Sequence, residues 1–167
     1  SPASDDEKLA KTNEEIVLSC LDILTDLLGR FGASSISVTR QHEPVLQICL
    51  NLLISKDASV VVRKRAGNAL GCLSVVLSDA LLVSAVERLL GQIDESGSSS
   101  SSENTRALIR TMCTVSSAVG NRLQQPQIDR ILPIFLKFTD PEKASTGDDD
   151  DAGDDNDEAM DDDDDNG

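Results

Sequence analysis

The sequence predicts an all-α protein, a solenoid of stacked helical hairpins followed by a disordered acidic C-terminal tail. Three observations predict it. Val62, Ala66, Ala69, Leu70, Leu73, Val76 and Leu77 fall three or four apart, which is one stripe of a helix, with Lys64 and Asn68 pointing away. The stripe recurs: Ile16, Cys20, Ile23, Leu24 and Leu27 repeat it 46 residues earlier, and Thr105, Ile109, Met112 and Cys113 repeat it 43 residues later, with Ser116 in place of Leu73. Residues 148–167 hold twelve Asp and one Glu with no Lys or Arg.

Residues 1–12 are polar, begin Ser-Pro-Ala-Ser and read as a flexible leader. The helical array is expected over 13–140. Its first helix, about 13–31, takes Thr12 or Asn13 as cap and Gly32 as stop, and is a half repeat with no partner helix ahead of it. A polar connection over 33–40 leads to a helix over 41–55 with Pro44 in its first turn and Leu46, Cys49, Leu50 and Leu53 inward. Lys56-Asp57 turns the chain into the central helix, so 41–78 forms one hairpin. The next hairpin, 79–120, pairs a helix carrying Leu82, Val86, Leu89, Leu90 and Ile93 with one over 103–119. A serine-rich loop joins them, and Gly120-Asn121 closes the second. Pro126 opens an unpaired helix over 126–139 with Ile128, Ile131, Leu132, Phe135 and Leu136 apolar. Its expected mate is replaced by 141–167, where so few apolar residues cannot offset the entropy of ordering.

Net charge is -15, yet residues 1–147 carry 17 acidic against 15 basic groups, so the helical part is nearly neutral and the tail is a polyanion. Such a tail repels nucleic-acid phosphates and anionic lipid heads and attracts basic proteins. With three Phe and no Trp or Tyr, an aromatic platform for stacking bases is hard to build. No apolar run approaches the length of a membrane span. Nucleic acid and membrane are therefore not expected partners. Cys20, Cys49, Cys72 and Cys113 are scattered through apolar helix patterns and read as small buried hydrophobes, with no ligand spacing for a metal.

An Asp shortly upstream, the pair Val62-Arg63 near the first turn and Ala66 three residues later resemble the second helix of a HEAT repeat, and both offsets fit the period of about 40 to 47 residues for HEAT and armadillo units. More narrowly, Val62-Arg63-Lys64-Arg65 followed by Ala69-Leu70-Gly71 resembles the cullin-associated, neddylation-dissociated (Cand) family. So do the helix holding Leu21-Asp22-Ile23, the helix running from Ile131-Leu132-Pro133 to Lys137-Phe138, and the acidic run holding Glu158-Ala159-Met160-Asp161. The resemblance covers about 14–139, a slice of the N-terminal part of so large a protein, although here the acidic run arrives with a helix missing before it. It implies a non-catalytic scaffold in cytoplasm and nucleus that binds unneddylated cullin with its RING subunit and promotes exchange of substrate receptors. It also implies association with the remaining repeats of the same or a split Cand protein. A transport receptor of the importin class, whose arrays also carry acidic loops and bind basic cargo, is the alternative.

No nucleophile, base and oxyanion set is present, so neither catalytic residues nor cofactors are expected. Arg63, Lys64, Arg65 and Arg106 are the candidate partner contacts; the competing reading pairs Arg63 with an acidic turn residue of a neighbouring repeat. Gly67 and Gly71 lack the strand and the Gly-Lys-Ser/Thr of a phosphate loop, and as small residues four apart they allow close helix approach. His42, beside Glu43 at a helix start, reads as capping or solvent-exposed. Ser145 and Thr146, each with Asp three residues on, are candidate phosphorylation sites for an acid-directed kinase.

Overall fold

The computed structural model describes residues 2–32, 40–96 and 103–139. The serine-rich connection, the candidate phosphorylation sites and the acidic tail lie outside these residues. Among these residues six α-helices follow one another: α1 (Pro2–Phe31), α2 (His42–Ile54), α3 (Val60–Val76), α4 (Asp79–Glu95), α5 (Glu103–Val119) and α6 (Gln125–Thr139). A 3₁₀ turn, Gly120–Arg122, precedes the last. The protein is an all-α helical-repeat solenoid, with no strand among the described residues.

Local chemistry explains where the helices begin. Ser59 and Ser78 stand in extended backbone ahead of α3 and α4, and their hydroxyls accept from the amides of Val62 (3.3 Å) and Leu81 (3.4 Å). The connection after α5 tightens into 3₁₀ geometry instead. There the amide of Leu123 donates to the Gly120 carbonyl, and the amides of Gln127 and Ile128 donate to Gln124.

α1 is longer than its capping residues suggest. It starts at Pro2, where a missing backbone donor costs nothing in a first turn. Neither Asn13 nor Thr12 caps it: the Thr12 hydroxyl donates back to the Lys8 carbonyl at 2.9 Å, a mid-helix bond. Residues 7–11, Glu-Lys-Leu-Ala-Lys, are strong helix formers, so the polar leader continues the helix. At the other end the Gly32 amide donates to the Leu28 carbonyl at 3.0 Å.

The helices form two layers. α1, α3 and α5 stack side by side in one; α2, α4 and α6 stack in the other; α2–α3 and α4–α5 are the hairpins that join them. The core between the layers is aliphatic. Leu46, Cys49, Leu50 and Leu53 of α2 meet Val62, Ala66, Ala69, Leu70 and Leu73 of α3, and Leu82, Val86, Leu89 and Leu90 of α4 meet Leu108, Met112 and Val115 of α5. Each large side chain buried there contributes about 1.5 to 3 kcal/mol relative to exposure. Gly67 and Gly71 sit where α3 crosses α5. A Cβ on Gly67 would stand 2.5 Å from Thr111 Oγ1, and one on Gly71 would stand 2.6 Å from Thr114 Cγ2. Two absent side chains set the spacing of that layer.

The repeat is also written in polar bonds. Arg65 pairs with Asp22, Arg122 with Asp79 and Arg130 with Glu87, each across 43 residues, while Ser59 donates to Glu14 across 45 and Arg88 to Gln47 across 41. One repeat period separates the two ends of every such bond.

Candidate functional site

Lys64, Arg106 and Arg110 line one groove between α3 and α5, together with Gly67, Asn68 and Glu103. It has a volume of about 380 Å³. The close approach that Gly67 permits brings α5 against α3, so side chains one repeat apart converge. All three cations are exposed, and none has a carboxylate or carbonyl partner among the described residues. Glu103 supplies the only carboxylate in the lining. The groove is thus a local cationic surface on a helical array that is otherwise close to neutral, suited to an acidic segment of a protein.

The candidate contacts Arg63, Lys64, Arg65 and Arg106 do not form one patch. Arg63 is buried and turns inward, where its guanidinium donates to the carbonyls of Ser55 (3.0 Å) and Lys56 (3.2 Å) in the turn of its own hairpin. It therefore neither faces a partner nor pairs with an acid of a neighbouring repeat. The short connection before α3 folds those carbonyls over it. Arg106 occupies the same repeat position but follows a serine segment of different length and sequence, and it stays exposed. Arg65 is half-exposed and bound to Asp22 of α1. Lys64 and Arg106 remain, and Arg110, one helical turn after Arg106, joins them.

Two arginines that sequence reasoning did not single out hold the array together. Arg122 donates to the carbonyls of Ser74 (3.2 Å), Val75 (3.3 Å) and Leu77 (2.6 Å) and pairs with Asp79 at 2.6 Å. It caps the last turn of α3, where partial negative charge collects, and ties it to the first turn of α4. Arg130 bridges Asp94 and Glu87 at 2.8 and 2.6 Å, and the bond to Asp94, with the charge of Glu87, holds its guanidinium above its ordinary pKa. The signal that reveals both is arithmetic: an acid stands 43 residues upstream of each.

The apolar edges are the second candidate feature. In α1, Ile16, Ile23 and Leu27 occupy repeat positions that are buried in α3, yet they stand 56%, 60% and 45% exposed. α3 lies between α2 and the flanking helices, whereas the far side of α1 meets no helix among the described residues. At the other end Leu132 and Leu136 of α6 are 54% and 62% exposed. The same edge position overturns the expectation that all four cysteines are buried. Cys49 is fully enclosed and desolvation pushes its thiol up to about 11, but Cys20 on α1 and Cys113 on α5 are exposed.

His42 is neither a cap nor solvent-exposed. It is buried, with Nε2 3.2 Å from the Gly32 carbonyl, and it fastens the start of α2 to the end of α1. No group of three metal-ligating side chains occurs among the described residues, and no helix there is long and apolar enough to cross a membrane.

Comparison with known proteins places the array beside one kind of relative. The chain is 32% identical over 123 residues to cullin-associated NEDD8-dissociated protein 2 of Rattus norvegicus, covering 74% of this chain and 9% of that protein. It is 28% identical over 144 residues to cullin-associated NEDD8-dissociated protein 1 of Dictyostelium discoideum, covering 86% of this chain and 11% of that one. The protein 2 of Mus musculus is 32% identical over 123 residues, with 10% of its length covered. The chain thus spans about a tenth of the length of the curated relatives it matches. No family model matches the chain, and no solved structure does.

Proposed function

We propose that the chain is a non-catalytic helical-repeat scaffold segment of a Cand-type regulator, which binds an unneddylated cullin with its RING subunit and promotes exchange of substrate receptors. The observation that carries this reading is similarity over 74% or more of the chain to proteins whose names state cullin association. A scaffold needs a rigid array with open contact surfaces, and the solenoid supplies both. Lys64, Arg106 and Arg110 form the polar contact surface. The open apolar edges of α1 and α6 take further repeats of the same or a separately encoded Cand protein. On this reading the protein works in both cytoplasm and nucleus.

The test is a pull-down of the chain with purified unneddylated cullin–RING core, with and without the separately expressed remainder of a Cand protein. Capture of the core, or assembly with the remainder, is the expected result. Capture of neither, with salt-sensitive binding of basic peptides instead, would replace this reading with that of an importin-like carrier.

A further inference from the structure

Several cations in the described array are matched. Arg30 pairs with Asp26, Arg65 with Asp22, Arg122 with Asp79, and Arg130 with Glu87 and Asp94, while Arg63 is bonded to carbonyls and Arg88 to the Gln47 side chain. Lys8, Lys11, Arg40, Lys56 and Lys137 each lie within two or three residues of a carboxylate or stand singly. The groove between α3 and α5 gathers three cations that make no ion pair among the described residues, Lys64, Arg106 and Arg110, against one carboxylate. The same chain carries thirteen carboxylates and no cation over residues 148–167.

We propose that the acidic run of residues 148–165 docks in cis into the Lys64–Arg106–Arg110 groove and occupies it until a partner displaces it. Reach is not limiting. Residues 140–148 extend to about 30 Å at about 3.3 to 3.6 Å per residue. Helix axes lie about 8 to 10 Å apart, and α6 is two such spacings from α5 by way of α4. Tethering gives the run an effective concentration of order millimolar at the groove, so weak exposed ion pairs suffice to occupy it. The attraction is screened by salt, since the Debye length falls from about 30 Å at 0.01 M to about 3 Å at 1 M. An acidic partner must therefore compete with the chain's own polyanion, while a basic partner would draw the run away. This docking goes beyond the scaffold reading and stands without it.

The chain has two methionines, one for each question. Met112 is fully buried in α5 and reports the fold; Met160 lies inside the acidic run and reports docking. The experiment is methyl NMR of the full chain labelled at methionine, at low and at high sodium chloride, over a range of protein concentrations. The expected result is a Met160 signal that is displaced and broadened at low salt, independent of protein concentration, and sharp at high salt. In K64Q/R106Q/R110Q it should already be sharp at low salt, with Met112 unmoved. D161N/D162N/D163N/D164N/D165N, which leaves the helices intact, should lose most of the salt dependence and decides the matter if the triple variant disturbs Met112. A Met160 signal indifferent to salt overturns the proposal. So does a salt dependence that survives both variants, or one that tracks protein concentration, which would mean docking between chains. No cullin is present in the experiment, so its failure leaves the scaffold reading untouched.

Discussion

Gly67→Ala tests the packing of α3 on α5. In an open helix interior this change stabilises by about 1 kcal/mol, because Gly carries an excess of unfolded-state freedom. At Gly67 the new methyl would stand 2.5 Å from Thr111 Oγ1 and 3.5 Å from Thr111 Cβ. Thr111 is buried, and its hydroxyl donates to the Ala107 carbonyl at 2.9 Å, so the side chain cannot yield without losing that bond. Overpacking costs about 1 to 3 kcal/mol, and with one side chain doubly held the upper half of that range applies. The net expectation is a loss of about 1 to 2 kcal/mol. Gly91, inside α4, is the control: a methyl added there would meet nothing within 4 Å, and Gly91→Ala should gain about 0.5 to 1 kcal/mol. Thr111→Ala should relieve the overlap, giving a coupling of about 2 to 3 kcal/mol in the G67A/T111A cycle. Urea unfolding followed by far-ultraviolet circular dichroism is the assay, because the chain has no Trp or Tyr to report by fluorescence. Gains of the same sign at both glycines, or a coupling near zero, would refute the close approach.

Three further outcomes follow from the same geometry. Leu70→Ala, at a fully enclosed position, should lose about 2 to 5 kcal/mol in urea unfolding, while Lys64→Ala should stay within about 0.5 kcal/mol; comparable losses would contradict the register of α3. Cys49 ionises near 9.0 when exposed and near 11 in the fold, so its contribution is whole below pH 9 and is lost as pH rises toward 11. That loss amounts to about 2 to 3 kcal/mol, and a Cys49→Ala chain with an equally steep decline over the same window would exclude the thiol as its source. Arg122→Gln should lose about 2 to 3 kcal/mol and speed amide exchange at the α3–α4 junction, with Arg122→Lys recovering only part because a point charge cannot span three carbonyls and a carboxylate. Full recovery by Lys would show that charge alone, not the forked geometry, holds the junction.

Helix identity was legible in the sequence because apolar spacing marks the buried stripes. α5 runs from Glu103 to Val119 as its periodicity predicts, and every predicted inward residue of α2 and α4 is buried. What escaped was anything that depends on the neighbour. Cys20 and Cys113 share the apolar pattern of buried positions but sit on helices with an open side. Arg63 and Arg106 share a repeat position but follow different connections, and so one is enclosed and the other exposed. The start of α1 was obscured by polarity: Glu, Lys and Ala extend a helix without an apolar stripe to announce it. The groove itself was half legible, since Lys64 and Arg106 were visible as charges, whereas their convergence with Arg110 is set by the approach at Gly67.

The bonds spaced one period apart all run the same way. Arg65, Arg88, Arg122, Arg130 and Ser59 are the donors, and in each case the acceptor comes earlier in the chain: Asp22, Gln47, Asp79, Glu87 and Glu14. During synthesis the acceptors leave the ribosome first, as exposed groups content in water, and each later repeat brings the group that fastens it to the one before. In a chain cut after α4 the bonds of Ser59 to Glu14, Arg65 to Asp22 and Arg88 to Gln47 lie wholly within the part present, while Asp79 and Glu87 are left in water without the arginines that would hold the next repeat to them.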